Sequence, residues 1–343
     1  MIIKSTPIIS IKKVKFINKL HFMFKMDVID KKILCELDLN CRTPYSLMAK
    51  RLRVSRNVVA YRIKNLEQQG VITNYICSLN LGLLGYKTFK INLKTVSHAE
   101  LEKKCVQYLL EQNKIIHALK TEGAYDYTIA VAVHNVQELD SFLMQLKQQF
   151  KDFIKDYSVS IVVYTKVFKL HKLLLGEKKE LPKIEKYSGE EKEISLDEKD
   201  RKILVALSQE ANLSLLTLVK KTGLSLDIVK YRLKQLSKSI ITSFRITFDL
   251  NKINYYFYRI SLKIRQATKA EEEKLIAWCS WKQQVLYCTK RIGQFDFELN
   301  LAIKDINEFN LVLAELKQEF GAIIESYETV MISQLIKLNY VPF

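Results

Sequence analysis

DKKILCELDLNCRTPYSLMAKRLRVSRNVVAYRIKNL, residues 30–66, returns as DRKILVALSQEANLSLLTLVKKTGLSLDIVKYRLKQL, residues 200–236, without a gap at an offset of 170. Asp30/Asp200, Ile33/Ile203, Leu34/Leu204, Leu37/Leu207, Ser55/Ser225, Val59/Val229, Tyr61/Tyr231, Arg62/Arg232, Lys64/Lys234 and Leu66/Leu236 are identical. A repeat of this kind decides the architecture before anything else is read. Each copy has the pattern of three short helices. Asp27 and Asp30 precede the apolar-periodic Ile33, Leu34 and Leu37, and acids suit the positive end of a helix dipole. A second helix runs from about Tyr45 to Leu52. Arg53 and Val54 make the turn, and Ser55 caps a third helix that reaches about Gln68, where Gly70 stops it. Val71 to Ile76 reads as a strand.

A pair of helices joined by a short turn, the second one Ser-capped, is the pattern of a helix-turn-helix, whose second member lies in the major groove. On the third helix Val59, Ile63 and Leu66 share one arc and must be core. Asn57, Ala60, Tyr61 and Lys64 share the opposite arc, with Arg56 at its N-terminal edge. Asn and Arg suit base edges, and Lys and Tyr suit phosphates. The candidate DNA contacts are therefore Ser55, Arg56, Asn57, Tyr61, Arg62 and Lys64, then Ser225, Lys230, Tyr231 and Lys234. Arg62 sits between the two arcs, where pairing with an acidic side chain competes with reading a base. In the second copy Leu226 replaces Arg56 and Asp227 replaces Asn57, so a weaker or differently specific second head is expected.

Between and after these segments the rhythm changes. Phe89, Ile91 and Leu93 alternate with Lys90 and Asn92, the period of a strand. Helical and strand stretches follow in the order β-α-β-β-α-β, a ferredoxin-like unit. Gly-Ala-Tyr-Asp at 123–126 and Gly-Gln-Phe-Asp at 293–296 each fall between two predicted strands, where glycine permits a hairpin's left-handed turn. The aspartate has two readings, a ligand-amine contact or a bond to its own backbone. The fold expected is α+β, a tandem winged helix-turn-helix plus ferredoxin-like unit. A basic extension spans 1–26, the first winged helix 27–80, the first ferredoxin-like domain 81–170 and a linker 171–195. The second winged helix spans 196–248 and the second ferredoxin-like domain 249–343.

The chain of 343 residues carries a net charge of +18. Residues 1–80 hold 15 Lys/Arg against 5 Asp/Glu, whereas 251–343 hold 12 against 11. Charge gathered on the helix-pair segment points to a polyanion partner. The six cysteines have neither CxxC nor metal-ligand spacing, which fits small buried hydrophobes in a reducing cytoplasm. No apolar run is long enough for a membrane helix, and no phosphate-binding glycine loop, HExxH motif or G-x-S-x-G elbow is present. No catalytic residue, metal or cofactor is expected.

DKKIL at 30–34, SRNVVAYRIKNLEQQGVI at 55–72 and EGAYD at 122–126, with DRKIL at 200–204, LSLDIVKYRLKQL at 224–236 and IGQFD at 292–296, resemble the Lrp/AsnC family of transcription regulators. The chain looks like two such units fused. The resemblance implies double-stranded DNA as partner. It also implies an effector domain that drives dimers or higher homo-oligomers and binds amino acids near the Gly-x-x-Asp hairpin. Carried over, that gives Gly123, Tyr125, Asp126, Gly293, Phe295 and Asp296 as effector candidates. The two effector domains are expected to pair sheet to sheet, within one chain or between two, with the heads roughly 34–36 Å apart for adjacent major grooves. Two alternatives stand beside this. One is an effector-sensing interaction module that does not touch DNA. The other is a siroheme-decarboxylase-like enzyme, a group that resembles this family, occurs as fused pairs and depends on a His-containing site. Here His117 stands alone in a predicted strand, and no His follows residue 171.

Overall fold

The computed structural model describes residues 24–168, 170–176, 184–185 and 193–343. All but the last three residues of the expected basic extension lie outside that range. Asp27 caps α1 (Val28–Leu39). Its carboxylate accepts from the Ile29 and Asp30 N–H groups, and Asp30 accepts from the Asp27 N–H in return. α2 (Tyr45–Leu52) ends at Arg53, whose φ of 56° is left-handed. Ser55 caps α3 (Arg56–Gln68) by accepting from the Val58 N–H. Gly70, at φ 71°, turns the chain into β1 (Ile72–Leu79). The expected β-α-β-β-α-β order follows as β2 (Lys87–Thr95), α4 (Ala99–Glu111), β3 (Ile115–Gly123), β4 (Tyr127–Val133), α5 (Val136–Gln149) and β5 (Ile154–Val167).

α6 (Leu170–Leu175) and β6 (Ile184–Glu185) come next. The expected exposed linker at 171–195 is corrected at its start; 177–183 and 186–192 lie outside the described residues. Leu170, Leu173 and Leu174 are buried in the core of the heads, and the Leu170 N–H donates to the buried Asp38 at 3.1 Å. Leucines at helical spacing outweigh the charged residues that follow them. The second unit repeats the first as α7 (Glu198–Gln209), α8 (Leu215–Thr222), α9 (Leu226–Ser239), β7 (Ile241–Phe248), β8 (Tyr256–Ile264), α10 (Lys269–Trp281), β9 (Val285–Ile292), β10 (Phe297–Ile303), α11 (Ile306–Phe320) and β11 (Ile324–Leu338).

The two heads are one body. β1 pairs antiparallel with β7, so the strand that would extend as a wing of one head is spent on the other. One hydrophobic core runs through both, joining Ile33, Leu34 and Leu66 to Ile203, Leu204 and Leu236. The Cys41 N–H donates to the Phe244 carbonyl at 2.9 Å, and the Ala211 N–H to the Tyr75 carbonyl at 3.2 Å. Arg245 of β7 donates through Nε and Nη2 to Oδ1 of Asp38 on α1, both residues being buried.

The ferredoxin-like sheets also join within the chain. They meet edge to edge, β3 with β11 and β5 with β9, and β2–β5 pairing closes the ring β2-β4-β3-β11-β8-β10-β9-β5. Closure satisfies the backbone groups that four edge strands would otherwise expose. Alternation along each strand then sorts side chains into two environments. Phe89, Ile91, Leu93, Ile129 and Val131 pack outward beneath α4 and α5. Ile260, Leu262, Leu299 and Leu301 do the same beneath α10 and α11. The other set, including Lys90, Asn92, Thr128, Arg259, Arg291, Glu298 and Asn300, is polar, buried and turned inward.

Candidate DNA-reading interface and effector hairpins

The outward arc of α3 is free. Ser55, Arg56, Asn57, Tyr61 and Lys64 are exposed, Tyr61 at 72%, while Val59, Ile63 and Leu66 are buried. On α9 Ser225, Asp227, Lys230, Tyr231 and Lys234 are exposed, with Val229 and Leu236 beneath. The two helices therefore offer similar cationic and aromatic surfaces. They differ at the N-terminal turn, where the exposed Asp227 stands in place of Asn57.

Arg62 is the exception among the candidates. Its Nη1 donates to Asp27 at 2.6 Å and to Asp30 at 2.8 Å, which ties α3 to the start of α1. The hydrogen bonds that it donates to Asp30 and Asp27 raise its pKa further. Arg232 repeats the arrangement with Asp197 at 2.7 Å and Asp200 at 3.4 Å. The guanidinium fixes the angle of the reading helix instead of reaching past it. Conversely, sequence reasoning passed over Arg53. It lies exposed in the left-handed turn, directly before Val54 and the Ser55 cap.

Both Gly-x-x-Asp hairpins stand where the two sheets meet. Gly123 has φ 128° and Gly293 φ 151°. A Cβ on Gly293 would lie 2.8 Å from Cβ of Ser160 on β5, and one on Gly123 would lie 3.1 Å from the Thr329 carbonyl oxygen on β11. The carboxylate of Asp126 accepts from the Thr95 N–H at 2.7 Å, and that of Asp296 from the Ile264 N–H at 2.8 Å. Each aspartate thus fastens its hairpin to the end of a neighbouring strand. Lys94 and Lys263 lie 3.5 and 3.3 Å from them. Tyr125 donates to the Gln294 side chain at 2.9 Å, linking the two hairpins directly. Phe295 is buried, with Arg291 5.8 Å from its ring centre.

One further cluster was not foreseen. Inside the barrel Lys90 donates to Glu298, which also has Arg259 at 3.2 Å and Arg291 at 3.3 Å. Burial alone would raise the Glu298 pKa, but Arg259, Lys90 and Arg291 together hold it well below the carboxylate range. Burial, opposed by Glu298, pushes Lys90 down to about 7. Burial and the neighbouring Lys90 and Arg259 push His117 on β3 down to about 3, so its imidazole is neutral. Among the described residues no group of three or more His, Cys, Asp or Glu is placed to hold a metal ion. No helix there is long and apolar enough to cross a membrane.

The winged helix-turn-helix DNA-binding family profile matches at residues 26–73 and again at 196–239, the two segments that form the heads. Regulatory protein AsnC of Haemophilus influenzae is 32% identical over 124 residues, covering 35% of this chain and 81% of that protein. The HTH-type transcriptional regulator FL11 of Pyrococcus furiosus is 30% identical over 121 residues, covering 34% and 78%. Among solved structures, the siroheme decarboxylase NirDL aligns over 92% of this chain and 94% of its own, with TM-score 0.59 at 15% identity. That last likeness is one of fold.

Proposed function

This chain belongs to the Lrp/AsnC family of transcription regulators, and we propose that a single copy of it works as a complete two-headed DNA reader. What carries the reading is the exposed polar arc of α3, with its counterpart on α9, on two heads that share one core. Asn57 and Arg56 address base edges, while Ser55, Tyr61, Lys64, Lys230, Tyr231 and Lys234 address the backbone of the duplex. Because Asp227 replaces Asn57, the two half-sites differ and the operator is asymmetric. An amino acid acts as effector at the Gly-x-x-Asp hairpins, whose Asp126 and Asp296 sit beside Lys94 and Lys263. Further copies assemble through surfaces outside the barrel, since β3, β5, β9 and β11 are already paired within the chain. The protein works in the cytoplasm, in keeping with six buried, free cysteines.

The test separates positioning from readout. Lys64→Ala weakens binding to every sequence and flattens the salt slope by about one unit. Asn57→Ala relaxes preference at one base position, at a cost of about 1–3 kcal/mol. Equal losses on specific and random DNA for Asn57→Ala would remove the readout assignment.

A second reading, enzymatic, draws on the fold shared with NirDL and on His117 lining an internal cavity. We favour the regulator, because relatives that align with about a third of the chain are named as regulators. Tetrapyrrole absorbance in the purified protein would reverse that preference.

A further inference from the structure

A cavity of about 600 Å³ lies between the β1–β7 ribbon that joins the heads and the mouth of the barrel. Clefts of this volume suit small organic molecules. Its wall mixes apolar residues, among them Ile116, Leu119, Phe257, Leu286 and Ile332, with polar ones, among them Thr88, Lys90, Arg259, Thr289 and Asn300. None of Gly123, Asp126, Gly293 or Asp296 lines it, so it is a different place from the effector hairpins.

We propose that this cavity is a binding site for a small organic anion, an apolar or aromatic body carrying a carboxylate or sulfonate, with the anionic end at Lys90 and Arg259. Charge is the first argument. Lys90, Arg259 and Arg291 converge on one buried carboxylate, Glu298. Asp38 is engaged by Arg245. Counting the partly buried Glu328, and Lys337 against Asp249 on the wall, one cation remains in excess. Excess buried charge is costly unless something neutralises it.

Unfilled hydrogen-bonding capacity is the second argument. The Thr88 hydroxyl, on the cavity wall and 4% exposed, has no hydrogen-bond partner; away from the wall, Nε and Nη2 of Arg291 and Oε2 of Glu298 also have none. The ammonium of Lys90 can donate three bonds, and its one contact among the described residues is Glu298. Native interiors satisfy such groups, so an orphan hydroxyl on a cavity wall beside an ammonium with donors to spare indicates a missing partner. The geometry of the wall is the third argument. The apolar residues give a ring system somewhere to lie, and the cations set where its anionic end goes. The occupant also touches Asn74 of β1 and Thr247 of β7, both on the ribbon. It is therefore placed to brace the two heads against the barrel.

The experiment uses the full chain and two probes with the same rings. 8-Anilinonaphthalene-1-sulfonate carries the anion and N-phenyl-1-naphthylamine lacks it. Fluorescence titration should give one sulfonate-probe site per chain, and the neutral probe should bind at least about tenfold more weakly, since charge-assisted bonds are the strong ones. Lys90→Met, with near-UV circular dichroism confirming its packing, should bring the two probes to within about twofold of each other. Thr88→Val should weaken the sulfonate probe alone. Equal affinity of the wild-type chain for both probes would overturn the proposal, whatever the variants do. So would sulfonate binding unchanged in a folded Lys90→Met.

Discussion

Replacing Arg245 by Met should cost about 3–5 kcal/mol of stability, the range for removing one partner of a buried ion pair. The magnitude follows from what is left behind. Asp38 is 0% exposed, and Arg245 supplies two of its hydrogen bonds, at 2.8 and 2.6 Å. In the variant the carboxylate keeps the Leu170 N–H at 3.1 Å, too little to stabilise a charge without water. Because Asp38 belongs to the first head and Arg245 to the second, the loss falls on the joint between them. Urea unfolding, followed by fluorescence and far-UV circular dichroism, should show a lower midpoint with an unchanged slope. Adding Asp38→Asn to the same chain should recover most of the loss, because the amide still accepts from Leu170 and carries no charge. A single-variant loss below about 1 kcal/mol, the worth of an exposed pair, would refute the idea that this contact locks the heads. So would a double variant no better than the single.

Two further expectations come from the hairpins and from the barrel interior. Gly293→Ala should destabilise by about 1–3 kcal/mol, because the methyl meets Ser160 at 2.8 Å on a backbone of φ 151°. Gly70→Ala, whose methyl meets nothing within 4 Å, should cost clearly less by the same urea assay. The folded-state pKa of His117 lies below its unfolded value, so its contribution is present above about pH 6.5 and is lost as pH falls toward 3. Between pH 7 and pH 5 that amounts to about 2 kcal/mol. The stability of His117→Gln should fall less than wild type over this interval, and parallel curves would contradict it.

The sequence made the heads legible because their information is local. Ser55, Gly70 and the Ile33-Leu34-Leu37 spacing act within one turn of chain, and each does in the structure what its chemistry implies. The β-α-β-β-α-β order was readable for the same reason. Joining the halves was less so. That two sheets would pair was foreseeable, but edge-to-edge closure depends on contacts such as Val330 with Gly123 and Ile161 with Ile292, far apart in the chain. The interior charges were hidden by their own alternation. Lys90 between Phe89 and Ile91 reads as the wet face of a half-buried strand. Only closure turns that face inward. Glu298 gave a hint, since it sits between Phe297 and Leu299 in FELNLAI, a strand buried along its whole length. The effector motif was overread at Phe295, which packs inside, whereas the place of Arg62 between the two arcs already pointed to the acidic partners that hold it, Asp27 and Asp30.

The claim on which the rest depends is that the two heads are fixed relative to each other within one chain. Inserting five base pairs between the half-sites of a selected operator tests it most directly, because half a helical turn moves one groove to the opposite face of the duplex. Affinity should fall to that of an isolated half-site, and a ten-base-pair insertion should not restore it, since a locked pair cannot stretch. Near-native affinity with either insertion would mean that the heads move independently, contrary to the shared core and the β1–β7 ribbon.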